Sequence, residues 1–131
     1  GPLVDAAPQV ELWLDGGHNP AGGEAVAATL ARMPKRETHL ICGMLNTKDV
    51  TGYMIPLAPQ VTRLHAVSIP GEKNTLPAEV TRDAARAAGM DAVEAASVAD
   101  ALARIAATSP QARVLICGSL YLAGSVLREN G

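Results

Sequence analysis

Short apolar runs ending in Gly, Asp or Ser alternate five times with Ala-rich stretches of helical period, and this alternation constrains the fold more than any other feature of the chain. Neighbouring parallel strands need a long crossover between them, usually a helix, so repeated strand-then-helix units imply a mostly parallel sheet. The runs predict strands over 11–15, 38–42, 61–68, 92–95 and 113–117. A first helix opens at Pro20, carries Val26, Leu30 and Met33 on one face and stops at Pro34. A short helix from about Lys48 presents Val50, Tyr53, Met54 and Leu57, with Pro56 blurring its end. A third runs over 77–89 with Pro77 in its first turn. A fourth follows the Ser97–Asp100 capping box with Val98, Ala101, Leu102 and Ile105 on one face, and a last helix spans 120 to about 128.

The expectation is one doubly wound, Rossmann-like α/β domain, with about five or six strands and helices on both faces. At 131 residues, burial of about two-thirds of the extended chain's surface gives it a single core. That core lacks Phe and draws on Ala, Val, Leu and Ile, which suits helix-on-sheet packing. Lone Trp13 reads as core or helix-facing. The repeat of Leu-Ile-Cys-Gly at 40–43 and 115–118 reads as two central strands under one packing constraint rather than a duplication.

Composition also narrows the function. Hydrophobic residues make up 48% and charged residues 18%, yet no run of about 18 apolar residues exists to cross a bilayer. The formal charge is −2 with no basic cluster, which argues against nucleic acid or a membrane surface as partner. Cys42 and Cys117, each inside an apolar run, read as reduced buried thiols of a cytoplasmic protein, and no export signal is seen at the amino terminus.

Ligands of parallel sheets collect at the carboxyl ends of the strands, where unpaired amides at helix starts face outward, so three loops draw attention. Over 15–23, Asp15 ends a strand, two glycines allow a tight turn, His18 sits on it, Asn19 is a good N-cap and Pro20 takes the first helical position. Gly22 and Gly23 are poor helix formers, which suggests close approach of a neighbour or a ligand. A plain capped turn and a ligand site with the ionisable pair Asp15 and His18 are both open readings. Over 43–49, Asn46 or Thr47 can cap the next helix, with Lys48 and Asp49 in its first turn; Lys48 is either solvated or meets an acidic partner. Over 117–121, Ser119 is the expected cap of the last helix, and no Gly-x-Ser-x-Gly elbow surrounds it. Neither a dinucleotide fingerprint nor a P-loop occurs, and His39 and His65 read as ordinary strand residues without metal-ligand spacing.

These loops carry a resemblance over nearly the whole chain. Leu-Asp-Gly-Gly-His-Asn-Pro at 14–20, Gly-Met-Leu-x-x-Lys-Asp at 43–49, Leu-Pro-Ala-Glu at 76–79 and Cys-Gly-Ser-Leu-Tyr at 117–121 stand in the order and spacing of the carboxy-terminal domain of folylpolyglutamate synthase/dihydrofolate synthase, in the Mur ligase superfamily. The family commonly has Ala at the position of Gly17, which leaves the loop shape intact.

The resemblance implies that 1–131 is the carboxy-terminal domain of an ATP-dependent amide ligase. That enzyme would activate a folate or dihydropteroate carboxylate as an acyl phosphate and join it to glutamate. Its amino-terminal domain, in the same polypeptide, would supply the phosphate loop and the Mg²⁺ ligands. Here Asp15 and His18 would bind ATP, His18 and Ser119 would bind glutamate, and Asn19, Lys48 and Asp49 would line the interdomain cleft. No metal ligand is assigned to this chain, which alone is expected to be inactive. The alternatives are the same domain of a peptidoglycan or cyanophycin ligase, or a flavodoxin-like regulatory module.

Overall fold

The computed structural model describes residues 11–14 as backbone, and 19–46, 49–119 and 122 in full. Five strands, β1 (Glu11–Leu14), β2 (Thr38–Cys42), β3 (Arg63–Ala66), β4 (Ala92–Glu94) and β5 (Arg113–Cys117), form one parallel sheet in the order β1-β5-β2-β3-β4. Among the described residues the full helices are α1 (Pro20–Arg32), α2 (Val50–Met54), α3 (Ala78–Ala87) and α4 (Val98–Thr108).

The single core expected from chain length is divided by the sheet into two, one on each face. On one, Val26 and Leu30 of α1, Tyr53 and Met54 of α2 and Ala85 of α3 meet Leu40, Cys42, Leu64, Ala66, Leu115 and Cys117. On the other, Val98, Ala101, Leu102 and Ile105 of α4 meet Ile41, Val67, Val114 and Ile116. The division follows from handedness. Passing from β1 to β2 and on to β3 and β4, the chain crosses the sheet in one direction; from β4 to β5 it returns, and a right-handed crossover must then use the opposite face.

β2 and β5 are buried along their whole length and pair with Leu40 beside Leu115, Ile41 beside Ile116 and Cys42 beside Cys117. The internal repeat is therefore a pair of touching strands covered on both faces.

Local chemistry sets the helix starts. Asn19 Oδ1 accepts from Gly22 N at 2.7 Å, with Pro20 at the first helical position, and Ser97 Oγ accepts from Asp100 N at 3.0 Å. Gly23 is required by a neighbour: a Cβ there would collide with Tyr53 O of α2. The second helix corrects the sequence reading. Asp49 is not in its first turn but is its cap, accepting from Gly52 N at 2.8 Å, while the amide of Asn46 is turned to Asn74 O. After Met54 the chain tightens into a 3₁₀ stretch, Ile55–Gln60, where Pro56 and Pro59 cannot donate to an α-helical ladder.

β3 is shorter than expected, its four residues pairing with β2 and three of them also with β4, and α3 starts after Pro77 rather than at it. Of the expected last helix, only Leu122 is described; it is helical and buried in the α4-side core. Trp13 falls beside Leu115 in register. Among the described residues no helix is long and apolar enough to cross a membrane.

Candidate functional site at the carboxyl edge of the sheet

Strand order turns three separate sequence motifs into one locus. The loops carrying Asn19, Asp49 and Ser119 follow β1, β2 and β5, and β5 lies between the other two. After β1 and β2 the chain enters helices on one face, whereas Leu122, after β5, lies in the opposite core. Adjacent strand ends from which the chain passes to opposite faces mark the place where this class of sheet receives ligands. Asp15, His18 and Lys48 lie outside the described residues.

The floor of this edge is tightly built. Gly43 N donates to Cys117 O at 3.2 Å, which joins the ends of β2 and β5. Gly118 has φ +104°, and a Cβ there would lie 2.6 Å from Gly43 O and 2.7 Å from Met44 Sδ. Only glycine meets both demands. Ser119 follows directly, is 1% exposed and is engaged by neighbouring protein groups. Asn19 and Asp49 are both exposed, each with a carbonyl or carboxylate oxygen committed to its cap.

One part of the edge was not legible in sequence. The 69–76 loop lies along 44–46 as a short antiparallel pair: Leu45 bridges Thr75, Leu76 N donates to Met44 O at 2.8 Å and Asn46 N to Asn74 O at 2.9 Å. Leu-Pro-Ala-Glu at 76–79 thus joins the edge through its first residue.

Beneath this edge, Cys42 and Cys117 are adjacent unbonded thiols, both buried, and the hydrogen bond to Cys117 together with burial pushes the Cys42 thiol well up. A thiol so held is a poor nucleophile, so the pair belongs to the core.

His39 and His65, expected as separate strand residues, are joined. Both face α4, with His39 Nδ1 and His65 Nε2 at 3.0 Å, and His39 Nε2 lies 3.2 Å from Glu37 Oε2. The carboxylate only accepts, so His39 donates to it through Nε2. With neutral rings, His39 Nδ1 then accepts from His65 Nε2–H, and His65 Nδ1 is left as a buried acceptor without a partner. Burial, followed by the charges of His39, Arg104 and Arg63, lowers the His65 pKa to about 4, against an opposing effect of Asp91. Glu37 is held below the usual carboxylate range, chiefly by a hydrogen bond from Ser109. This relay starts at Glu37, just before β2, and ends at His65, which stands in register with Ile41. A cleft of about 600 Å³ lies at the amino edge, but its arginines are turned to main-chain carbonyls, Arg36 Nε to Gln111 O and Arg113 Nη2 to Pro34 O, so it reads as a loop seam.

Fold and edge define a doubly wound α/β domain that presents helix starts and small-residue turns to a ligand without a phosphate loop of its own. The chain belongs to the Mur ligase, glutamate ligase domain family, which matches residues 3–120. It is 28% identical over 119 residues to the folylpolyglutamate synthase of Lacticaseibacillus casei, covering 88% of this chain and 26% of that protein.

Among solved structures it resembles Mycobacterium tuberculosis folylpolyglutamate synthase complexed with ADP. The TM-score is 0.80 and the identity 27%, over 92% of this chain and 30% of that one. It shares the fold of E. coli FolC in complex with DHPP and ADP, with a TM-score of 0.76 and 24% identity, over 88% of this chain and 27% of that one. The chain thus spans about a quarter of the length of the curated relative it matches. Membership in this family displaces the flavodoxin-like alternative.

Proposed function

We propose that this chain is the carboxy-terminal domain of an ATP-dependent ligase that adds glutamate to folates, to dihydropteroate, or to both, and that works in the cytoplasm. The observation that carries the reading is the strand order, which places the carboxyl ends of β1, β5 and β2 side by side. The folylpolyglutamate synthase similarity supports it. In the proposed reaction a substrate carboxylate takes the terminal phosphoryl group of ATP, giving an acyl phosphate and ADP. The amine of glutamate then attacks the acyl carbon, phosphate leaves and the nitrogen loses a proton.

What this chain supplies follows from its residues. No P-loop stands in the sequence, and no group of three His, Cys, Asp or Glu that could hold a metal occurs among the described residues, so the phosphate cradle and the Mg²⁺ ligands are assigned to an amino-terminal domain of the same polypeptide. An acyl phosphate is lost to water unless the cleft closes, and this domain is the closing wall. Asp15 contacts the nucleotide and His18 stands between nucleotide and glutamate. Ser119, on the rigid floor behind Gly118, helps seat glutamate. Asn19, Lys48 and Asp49 line the rim.

The test uses the full-length polypeptide. Glutamate-dependent release of ADP with a folate or dihydropteroate acceptor is expected. Asp15→Ala should lower kcat/KM by about 1.5–3 kcal/mol, the value of a lost charge-assisted hydrogen bond, at unchanged Tm. Ser119→Asp should raise the glutamate KM through like-charge repulsion. Residues 1–131 alone should melt in one transition and neither hydrolyse ATP nor ligate glutamate. Turnover by this fragment, or wild-type kinetics in folded Asp15→Ala, refutes the assignment.

A further inference from the structure

The geometry assigns a positioning role to Thr75: its hydroxyl locks the 69–76 loop onto the end of β2 and thereby sets the seat of Ser119. The consequence for catalysis rests on the ligase reading above; the mechanical part does not.

Thr75 uses its hydroxyl twice. Oγ1 accepts from Ile69 N at 2.8 Å and donates to Leu76 O at 3.1 Å, so one side chain ties the first residue of the loop to the last. Between them, Glu72 N donates to Ile69 O and Thr75 N to Glu72 O, which makes the loop a closed turn rather than a free span.

Both tied ends hold the neighbouring segment. Leu76 N reaches Met44 O at 2.8 Å, while the Ile69 side chain fills the space over Gly43, where a Cβ would lie 3.0 Å from Ile69 Cγ1. From there the path to Ser119 is short. Gly43 N is bonded to Cys117 O, and Met44, fully buried, places its Sδ against the only space a Gly118 side chain would have. A shift of 43–46 is therefore transmitted to Gly118, whose left-handed backbone leaves it little freedom, and so to Ser119. Removing the hydroxyl orphans the partly buried Ile69 amide, and the loop must move to satisfy it.

The loop's own turn chemistry, Pro70 and Gly71, accounts for a reversal but not for a threonine buried midway between exposed and core. The hydrogen bonds give that threonine a task.

The experiment compares Thr75→Val, Thr75→Ala and Thr75→Ser in the full-length polypeptide. Thr38→Val is the control; it removes one threonine bond, Thr38 Oγ1 to Arg36 O at 3.0 Å, at the opposite edge. Thr75→Val should raise the glutamate KM about tenfold while the ATP KM changes less than about twofold, the mark of a displaced seat rather than a lost fold. Thr75→Ser should restore the glutamate KM. Thr38→Val should lower Tm and leave both KM values where they are. Thr75→Ala repeats the measurement should the valine variant not fold.

Amide hydrogen exchange gives the independent arm, with Asn46 and Leu76 exchanging faster in Thr75→Val than in Thr75→Ser. Faster exchange with an unmoved glutamate KM overturns the positioning role, and unchanged exchange overturns the lock itself. A wild-type protein that releases no ADP with glutamate overturns the ligase reading separately, and the exchange rates still decide the lock.

Discussion

At the carboxyl edge main-chain groups do most of the tying, Gly43 N to Cys117 O, Leu76 N to Met44 O and Asn46 N to Asn74 O, with the Thr75 hydroxyl added, whereas at the amino edge main-chain bonds such as Arg113 N to Glu37 O and Thr62 N to Thr38 O are joined by several long side chains. There Arg36 and Arg113 reach Gln111 O and Pro34 O, Arg63 meets Asp91 at 2.8 Å and Glu37 faces His39. Main-chain ties bring backbones close and cost no side-chain entropy, but they tolerate little change in the residues that permit the approach. Side-chain ties span larger gaps, respond to pH and salt and yield singly. Where groups must be held within a fraction of an ångström, the first kind serves better.

The sharpest way to break this contrast is Gly118→Ala. The positive φ and the collision with Gly43 O together should cost about 3 kcal/mol, read as a lower urea midpoint at unchanged slope. A loss below about 1 kcal/mol would mean that the floor is soft and the two edges are alike.

Next in size is the response to acid. In the folded chain His65 titrates at about 4, below the ordinary value of 6.5 that applies when unfolded, so between those values the unfolded chain binds more protons. The stability held above pH 6.5 is therefore lost as pH falls toward 4, by about 2–3 kcal/mol. The groups facing the pair are His39, Glu37, Arg63, Asp91 and Arg104, of which Glu37, held low, loses its contribution only further down. Urea midpoints across this window should slope for wild type and flatten for His65→Leu. An equal slope in both would remove the relay from the amino half's account.

A smaller effect is expected at the rim of the carboxyl edge. Asp49→Ala removes the cap of α2 and should cost about 1 kcal/mol by thermal melting. If Asp49 also lines the cleft, ADP release by the full-length polypeptide falls by more than this loss explains. Smallest is Asp91→Ala, whose partner Arg63 is 44% exposed: the change should stay within about 0.5 kcal/mol and vanish at high salt.

Much of this architecture was readable in advance, and the reason is local. β2 and β5 have the bounds that their apolar runs imply, and Asn19 and Ser97 cap the helices that follow them, because capping and burial of a run are decided by residues within a few positions of one another. The cap of α2 was misplaced by a few residues because Asn46, Thr47 and Asp49 are all competent caps, and the pairing of Asn46 with Asn74 draws the first of them away. His39 and His65 gave no sign of contact, since their meeting depends on β2 and β3 being neighbours in a particular register.

By itself the sequence determined the fold class, the two-faced burial of the central strands and the motifs worth watching, for each rests on periodicity, propensity and short-range chemistry. Tertiary structure decided which motifs meet. β5, last in the chain, inserts between β1 and β2, and so brings Ser119 between the loops of Asn19 and Asp49. It also decided that the Thr75 hydroxyl ties Ile69 to Leu76 in the loop beside 44–46 and that two histidines share a proton-bearing contact. Strand order and register are set by the handedness of crossovers and by the packing of whole layers, energies summed over contacts far apart in the chain, and no single stretch of residues carries them.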